Sequence, residues 1–187
     1  MIDDIIKDAE SKMAGAVDYA RQDFVAIRTG RATPDMFSKL LADYYGTPTP
    51  LLQLATFNSP EPRTMLITPF DRASLPAVLR SIRDSDLGVA PSDDGVTIRV
   101  VLPELTEERR KEYVKVARTK AEDGRVAVRN IRRHAMETVK RLEKDKDHPI
   151  GEDEAARAEK RLDAATKKHI EAIDAMLKAK ETELMAV

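Results

Sequence analysis

The distribution of proline divides this 187-residue chain into three parts. The first 33 residues contain no proline, nine of the ten prolines lie between Pro34 and Pro103, and the remaining one is Pro149. Proline disrupts the interior of an α-helix, because it lacks the backbone N–H and its ring clashes with the preceding turn. Long helices are therefore expected in the two flanks of the chain and not in its middle.

Both flanks carry the spacing of amphipathic helices. Apolar residues recur every three or four positions over residues 2–27, 113–142 and 162–184, and this spacing predicts one apolar stripe on each of three helices. Gly30 suits the end of the first helix, because glycine adopts left-handed backbone angles without steric cost. The second and third helices are separated by a break at residues 148–151. Three such helices predict a three-helix bundle.

The middle of the chain predicts a small domain of strands and one helix. Strand-like runs occupy residues 40–45, 64–68 and 96–101, and the first of them ends at Gly46-Thr47-Pro48. Residues 74–82 resemble a helix with proline near its first turn. The expected fold class is therefore α+β, a three-helix bundle with an inserted small β/α/β domain.

The predicted domains are discontinuous. The bundle comprises residues 1–29 and 105–187, and the inserted domain comprises residues 30–104. The chain crosses between them twice, and we expect two short adjacent segments to act as a hinge. The predicted hinge residues are Thr29, Gly30, Arg31, Pro103, Glu104 and Leu105.

Composition excludes several classes of function. The chain has no cysteine, which removes disulfides, thiolate metal sites and cysteine nucleophiles. Its acidic start, MIDDIIKDAE, does not match a secretory signal peptide, and no uncharged apolar run approaches the ~18–20 residues of a membrane span. A cytoplasmic protein without a membrane partner is expected.

Catalytic motifs are absent from the sequence. It contains no G-x-x-x-x-G-K-[ST], G-x-G-x-x-G, H-E-x-x-H or G-x-S-x-G pattern. His134, His148 and His169 lack the spacing of metal ligands, and residues 93–95 predict a turn rather than a metal-binding loop. We therefore predict no catalytic residue, no metal site and no cofactor, and the chain is not expected to be an enzyme.

Positive charge is concentrated in the second helix. Residues 106–146 carry 14 basic and 8 acidic side chains, although the whole chain is almost neutral. At 100° per residue, seven cations of this helix share an arc of about 100°, interrupted by Glu122. They are Lys111, Lys115, Arg118, Arg125, Arg129, Arg132 and Arg133. Arginine suits bidentate contact with phosphate, so this face predicts binding to a nucleic acid backbone, either RNA or DNA.

Three other interpretations of the basic face remain open. A run of charge is often only a solvated helix surface. The face could belong to a helical adaptor that binds an acidic protein, which a salt-sensitive complex without RNA would indicate. It could also belong to a metal-dependent RNA-processing enzyme, in which case chelation would abolish turnover. Aromatic residues are absent from the face, so base stacking is not expected.

Six blocks of sequence, in order along the whole chain, carry a family resemblance. They are IRTGRA at 27–32, DYYGTPTPL at 43–51, SDLG at 85–88, IRV at 98–100, LTEERR at 105–110 and RVAVRNIRR at 125–133. Together they resemble the bacterial ribosome recycling factors. The resemblance implies an L-shaped, tRNA-sized monomer, with a bundle formed by both chain ends and a β/α/β domain on a two-stranded hinge.

The resemblance also implies a function and a set of contacts. A member of this family binds the post-termination ribosome across the sites vacated by tRNA and contacts large-subunit ribosomal RNA through the bundle. With elongation factor G and GTP, it splits the ribosome into subunits and releases mRNA and tRNA, so that translation can restart. By motif position, the implied rRNA contacts are Arg129, Arg132 and Arg133, with Arg28 and Arg31 as weaker candidates beside the hinge. Arg118 and Arg125 join them because they share the basic face.

Overall fold

The computed structural model describes residues 1–186 and forms two compact units. The helical unit comprises residues 1–27 together with the chain from residue 108 onward, and the sheet unit comprises residues 28–107. Val187, the last residue of the predicted bundle, lies outside the described residues.

The elements follow one another in a simple order. They are α1 (Ile2–Val25), β1 (Leu41–Tyr44), β2 (Thr47–Pro50), α2 (Leu51–Leu54), β3 (Ala55–Glu61), β4 (Thr64–Pro69), α3 (Leu75–Arg83), β5 (Ser92–Asp93), β6 (Ile98–Val101), α4 (Glu107–Glu143) and α5 (Glu152–Met185). Short 3-10 turns occupy Pro34–Phe37 and Arg72–Ser74.

The helical unit is the predicted bundle of α1, α4 and α5. Its interior contains many small side chains, which allow the helix backbones to approach closely. Gly124 of α4 marks one such approach, because a Cβ atom there would lie 3.1 Å from Ile173 Cδ1 of α5 and 3.3 Å from Ala20 Cβ of α1. The glycine is buried where all three helices meet. A larger side chain at this point would force the helices apart.

The sheet unit contains two antiparallel sheets and the helix α3. Strands β1 and β2 form a hairpin, and the larger sheet has the order β3-β4-β6-β5. Its core is built from large apolar side chains of the larger sheet, of α2 and α3, and of the 3-10 turn at Pro34–Phe37. The fully buried ones include Phe37, Leu51, Met65, Ile67, Val78, Ile82 and Ile98. The α+β fold class, a three-helix bundle with an inserted small β/α/β domain, is confirmed.

The sheet unit has more strands than the sequence predicted. The predicted strands correspond to β1, β4 and β6, whereas β2, β3 and β5 were missed. Two prolines lie in β2, and β3 contains Pro60 within a shift of register between Asn58 and Glu61. Both strands lie at the edge of their sheets, where a residue without a backbone N–H is tolerated. Because proline usually argues against a strand, the sequence pattern did not predict β2 and β3.

The turn between β1 and β2 has an unusual residue. Tyr45 and Gly46 have φ angles of +50° and +86°, which are typical of the two-residue hairpin turns that favour Asn-Gly. Tyr45 is 76% exposed, and its hydroxyl donates a hydrogen bond of 2.7 Å to Asp71 Oδ2. This bond lowers the pKa of Asp71 and raises the pKa of Tyr45. Tyr45 thus combines a side-chain hydrogen bond with a backbone conformation that tyrosine rarely adopts.

Candidate nucleic-acid interface

The five arginines of the predicted basic face all lie on α4, which is continuous from Glu107 to Glu143. Arg118, Arg125 and Arg132 recur every seven residues, or about two helical turns, and are here called the paired row. Arg129 and Arg133 lie beside them and are called the outer arginines. An unbroken helix keeps these side chains on one face, as the angular spacing predicts.

Each arginine of the paired row contacts a carboxylate of α5. The contacts are Arg118 Nε to Glu181 Oε1 at 2.7 Å, Arg125 Nη2 to Asp174 Oδ1 at 2.7 Å and Arg132 Nε to Asp163 Oδ1 at 2.5 Å. The donors ascend along α4 while the acceptors descend along α5, so the two helices are antiparallel. The row therefore bridges α4 and α5 across the surface of the bundle.

Arg125 has the most enclosed side chain of the row. Only 20% of it is exposed, compared with 65% for Arg118 and 33% for Arg132. Its Nε and Nη2 both contact Asp174 Oδ1 at 2.7 Å, and its Nη1 donates to Glu122 Oε2 at 3.0 Å. Burial lowers the pKa of this guanidinium, but the hydrogen bonds to Asp174 and Glu122 outweigh burial and raise the pKa above its ordinary value. All three nitrogens of Arg125 are thus engaged by carboxylates.

The outer arginines have no carboxylate partner on α5. Arg129 Nη1 donates to Glu122 Oε1 at 3.3 Å, so Glu122 bridges Arg125 and Arg129. The hydrogen bond from Arg125 is the main reason that the pKa of Glu122 lies below its ordinary value. Arg133 is exposed, and no carboxylate within residues 1–186 forms an ion pair with it. The guanidinium of Arg133 is therefore the most accessible to an incoming anion.

The acidic partners on α5 were missed by the sequence analysis, which considered α4 alone. Arg132 illustrates the omission, because its Nη2 also lies 3.9 Å from Glu159 Oε1. Asp163, Asp174 and Glu181 are separated by eleven and seven residues, so they share one face of α5. This helical spacing was visible in the sequence, but relating it to the arginines required the antiparallel alignment of α4 and α5.

Arg28 and Arg31 lie in the sheet unit, away from α4 in the sequence. Arg28 Nη2 donates to the Asp86 carbonyl at 3.0 Å, and its Nη1 donates to the Leu87 carbonyl at 3.2 Å. Both acceptors are backbone atoms of the loop after α3. Arg31 is exposed. Arg28 therefore fixes a loop of its own unit, which the sequence did not reveal.

The predicted hinge residues belong to two segments that lie side by side. Gly30 has a φ angle of +80°, and a Cβ atom there would lie 3.5 Å from Leu105 Cγ. Thr29 is buried, whereas Arg31, Pro103 and Glu104 are exposed. Glycine at position 30 thus provides both the left-handed turn and the room for Leu105.

Residues 1–186 contain neither a metal-ion cluster nor a membrane-spanning helix. No group of three or more histidine, aspartate or glutamate side chains is placed to hold a metal ion. No described helix combines the length and the apolar character needed to cross a membrane.

Sequence comparisons connect the chain with one family. The sequence profile described as "Ribosome recycling factor" matches residues 20–185. The ribosome-recycling factor of Cutibacterium acnes is 62% identical over 184 residues, which cover 98% of this chain and 99% of the relative. That of Kocuria rhizophila is 60% identical over 185 residues, with 99% of both chains covered.

Structural comparisons agree with the sequence. A solution structure of a ribosome recycling factor has a TM-score of 0.81 and 40% identity, covering 100% of this chain and 98% of that one. A second similar chain, with a TM-score of 0.68, 38% identity and 99% coverage of both chains, comes from models of the T. thermophilus ribosome recycling factor and E. coli elongation factor G bound to the E. coli post-termination complex. The sequence profile, the full-length relatives and the fold together place the chain in the ribosome recycling factor family, whose members are translation factors and not enzymes.

Proposed function

We propose that this chain binds the post-termination ribosome through the arginine face of α4 and, with elongation factor G and GTP, splits it into subunits. The release of mRNA and tRNA then allows translation to restart. The bound surface of the ribosome is large-subunit ribosomal RNA. The observation that carries the proposal is the placement of five arginines on one face of a single helix.

The chemistry of this face supports RNA phosphate as its ligand. Guanidinium groups form bidentate, charge-assisted hydrogen bonds with phosphate oxygens, and lysine reproduces that geometry poorly. The outer arginines have accessible guanidinium groups, and Arg118 is largely exposed. These features favour contact with the RNA backbone rather than with bases.

A structural relative supports the choice of partner. The T. thermophilus factor described above shares its fold with this chain and is described with elongation factor G on a post-termination complex. The GTPase in our proposal is the elongation factor, in agreement with the absence of a phosphate-binding loop motif from this sequence.

The proposed hinge consists of the two segments Thr29–Arg31 and Pro103–Leu105. Support comes from Gly30, whose left-handed backbone lies against the Leu105 side chain. Two short adjacent segments offer little resistance to twisting. We expect residual dipolar couplings to require different alignment tensors for the helical and sheet units in solution, and a single shared tensor would contradict the hinge.

A binding experiment tests the arginine face. Arg132→Ala should weaken binding to isolated large subunits at least about tenfold, which corresponds to ~1.4 kcal/mol. The logarithm of the binding constant should fall linearly with the logarithm of the salt concentration. If three phosphates are contacted, they contribute about −2 to this slope, by analogy with single-stranded nucleic acid, and the variant should flatten it. Arg109→Ala is the matched control, because Arg109 lies on the opposite side of α4 and pairs with Glu112. Equal losses in both variants would mean that general charge, not this face, determines binding.

A second experiment tests the reaction itself. Purified protein should split post-termination ribosomes only when elongation factor G and GTP are both present, as measured by light scattering. Arg132→Ala should need at least about tenfold more protein for the same rate. Full splitting by elongation factor G alone would contradict the proposal, as would a salt-sensitive complex of this chain with an acidic protein that excludes ribosomes.

A further inference from the structure

The carboxylates of α5 occupy the edges of the guanidinium groups that a phosphate would use. Arg125 is the clearest case, because its Nε and Nη2 form one edge and both contact Asp174 Oδ1. Bidentate phosphate binding needs two N–H groups on one edge. A phosphate can therefore bind this edge only when Asp174 leaves it.

The same conflict recurs at both ends of the paired row. Arg132 directs Nε to Asp163 and Nη2 towards Glu159, so its Nε edge faces two carboxylates. Arg118 directs Nε to Glu181. A phosphate near any of these arginines also meets the negative charge of the carboxylate, and the two anions repel each other.

These ion pairs are weak enough to exchange. The side chains of Asp163 and Asp174 are 52% and 49% exposed, and Glu181, which is 30% exposed, pairs with an arginine that is 65% exposed. Water therefore screens the attraction in each pair. A flexible RNA, whose phosphates must be ordered one at a time, gains little by displacing each carboxylate. A folded RNA surface that holds several phosphates at the spacing of the row gains from all of the exchanges together, because the arginines are fixed on one helix about 10 Å apart along its axis.

We propose that Asp163, Asp174 and Glu181 compete with RNA phosphates for the arginines of α4 and so suppress binding to non-cognate RNA. This inference rests on the proposed function, since it assumes that the arginine face binds RNA. The three carboxylates are positioning residues that act through the paired row and do not themselves contact the RNA. Neither Arg129 nor Arg133 has such a competitor on α5 within residues 1–186.

The test measures affinity for an RNA that has no relation to the ribosome. A fluorescein-labelled 20-nucleotide oligouridylate is titrated with wild-type protein and with the triple variant Asp163→Asn/Asp174→Asn/Glu181→Gln. We expect the variant to bind at least about tenfold more tightly, with a steeper salt dependence, because both the competition and the repulsion are removed. A role in stability alone would not increase the affinity.

A matched control separates local competition from total charge. The variant Asp8→Asn/Glu10→Gln/Asp18→Asn changes the net charge by the same amount on α1. Asp8 pairs with Lys12 and Asp18 pairs with Arg21, both within α1. This control should change the affinity for the oligonucleotide by less than about threefold. Equal tightening by the control, or no tightening by the α5 variant, would overturn the proposal.

A single substitution keeps the test valid if the triple variant does not fold. Asp163→Asn alone should tighten oligonucleotide binding about threefold, and this gain should disappear in an Arg132→Ala background. Circular dichroism at each titration temperature verifies that every variant is folded. A gain that persists without Arg132 would overturn the assigned competition between Asp163 and phosphate.

The two binding measurements also distinguish a failure of this proposal from a failure of the proposed function. If Arg132→Ala binds large subunits as tightly as wild type, the arginine face does not carry ribosome binding and the proposed function fails. If Arg132→Ala weakens subunit binding but the α5 variant does not tighten oligonucleotide binding, only the competition proposal fails.

Discussion

Arginines of the helical unit and of the sheet unit have different kinds of partner. On α4, Arg118 and Arg125 contact carboxylates of a neighbouring helix. In the sheet unit, Arg28 donates to the carbonyls of residues 86 and 87, and Arg72 Nε donates to the Gly95 carbonyl at 3.1 Å. The paired row thus contacts side chains, whereas Arg28 and Arg72 contact the backbone, although Arg83 of the sheet unit also pairs with the Asp84 carboxylate.

The difference indicates which arginines are available to a ligand. Arg28 and Arg72 each reach a backbone carbonyl of a loop that is distant in the sequence, so both are part of the local structure of the sheet unit. An exposed carboxylate is readily solvated by water after its arginine departs. The paired row of α4 can therefore exchange partners, whereas Arg28 and Arg72 fix loops.

Separating the two units should give the largest effect. Residues 1–29, joined through a Gly/Ser linker to residues 105–187, should fold as a helical bundle and bind large subunits within about tenfold of the full chain. Residues 30–104 alone should bind at least about a hundredfold more weakly, because they lack the arginine face of α4. Sedimentation with purified subunits measures both affinities. Comparable binding by the two pieces would contradict the view that the arginines of α4, and not those of the sheet unit, are available to a ligand.

Removing Arg28 should affect stability rather than binding. Arg28→Ala deletes two hydrogen bonds to the loop at residues 86–87 and should lower the free energy of unfolding by about 1 kcal/mol. Urea unfolding measures the loss, and amide exchange at Gly88 and Val89 should become faster. Arg31→Ala is the matched control and should remain within about ±0.5 kcal/mol of wild type. A stability loss at position 31 equal to that at position 28 would contradict the role assigned to Arg28.

The contact between Arg125 and Asp174 should contribute less. A double-mutant cycle with Arg125→Ala and Asp174→Ala should give a coupling free energy of about 0.5 kcal/mol, as is usual for partly exposed ion pairs. The comparison cycle uses Arg129 and Asp174, which have no ion pair with each other in the described structure, and should give a coupling near zero. Coupling above about 2 kcal/mol would mean that the pair is too strong to exchange for phosphate.

The smallest effect concerns the acid Glu122. Arg125→Ala removes the hydrogen bond that chiefly lowers the pKa of Glu122, so this pKa should rise towards its ordinary value. Because the folded pKa lies below the unfolded one, Glu122 stabilises the fold at neutral pH, and this contribution is lost as the pH falls through the folded pKa. A titration of the side-chain carboxyl signal by NMR measures the change. An unchanged pKa would assign the shift to Arg129 instead.

Helices were predictable because their signal is local. The apolar stripe over residues 2–27 anticipated α1, and the break at residues 148–151 anticipated the start of α5 at Glu152. Strand β3 was not predictable in the same way. It pairs with β4 through an irregular register around Pro60, and no local pattern encodes such a partner.

The candidate interface was likewise predictable only in the features that are local in the sequence. All five arginines lie on one helix, so their common face could be calculated from 100° per residue. The contact between Arg132 and Asp163 joins residues 31 positions apart, and its existence depends on how α4 and α5 align. The predicted roles of the arginines in binding rRNA, and the expected monomeric state, stay predictions.

The antiparallel order of the ion pairs has a consequence for insertions and deletions. Extra residues in the exposed connection between α4 and α5 leave both helices in register, so that segment can vary in length. One residue inserted between Asp163 and Asp174 would instead rotate the two acids by about 100° relative to each other. Leu162 and Leu184, which lie on opposite sides of the insertion, could then not both stay in the core. Length changes are therefore tolerated at the helix connection and excluded from the interior of α5.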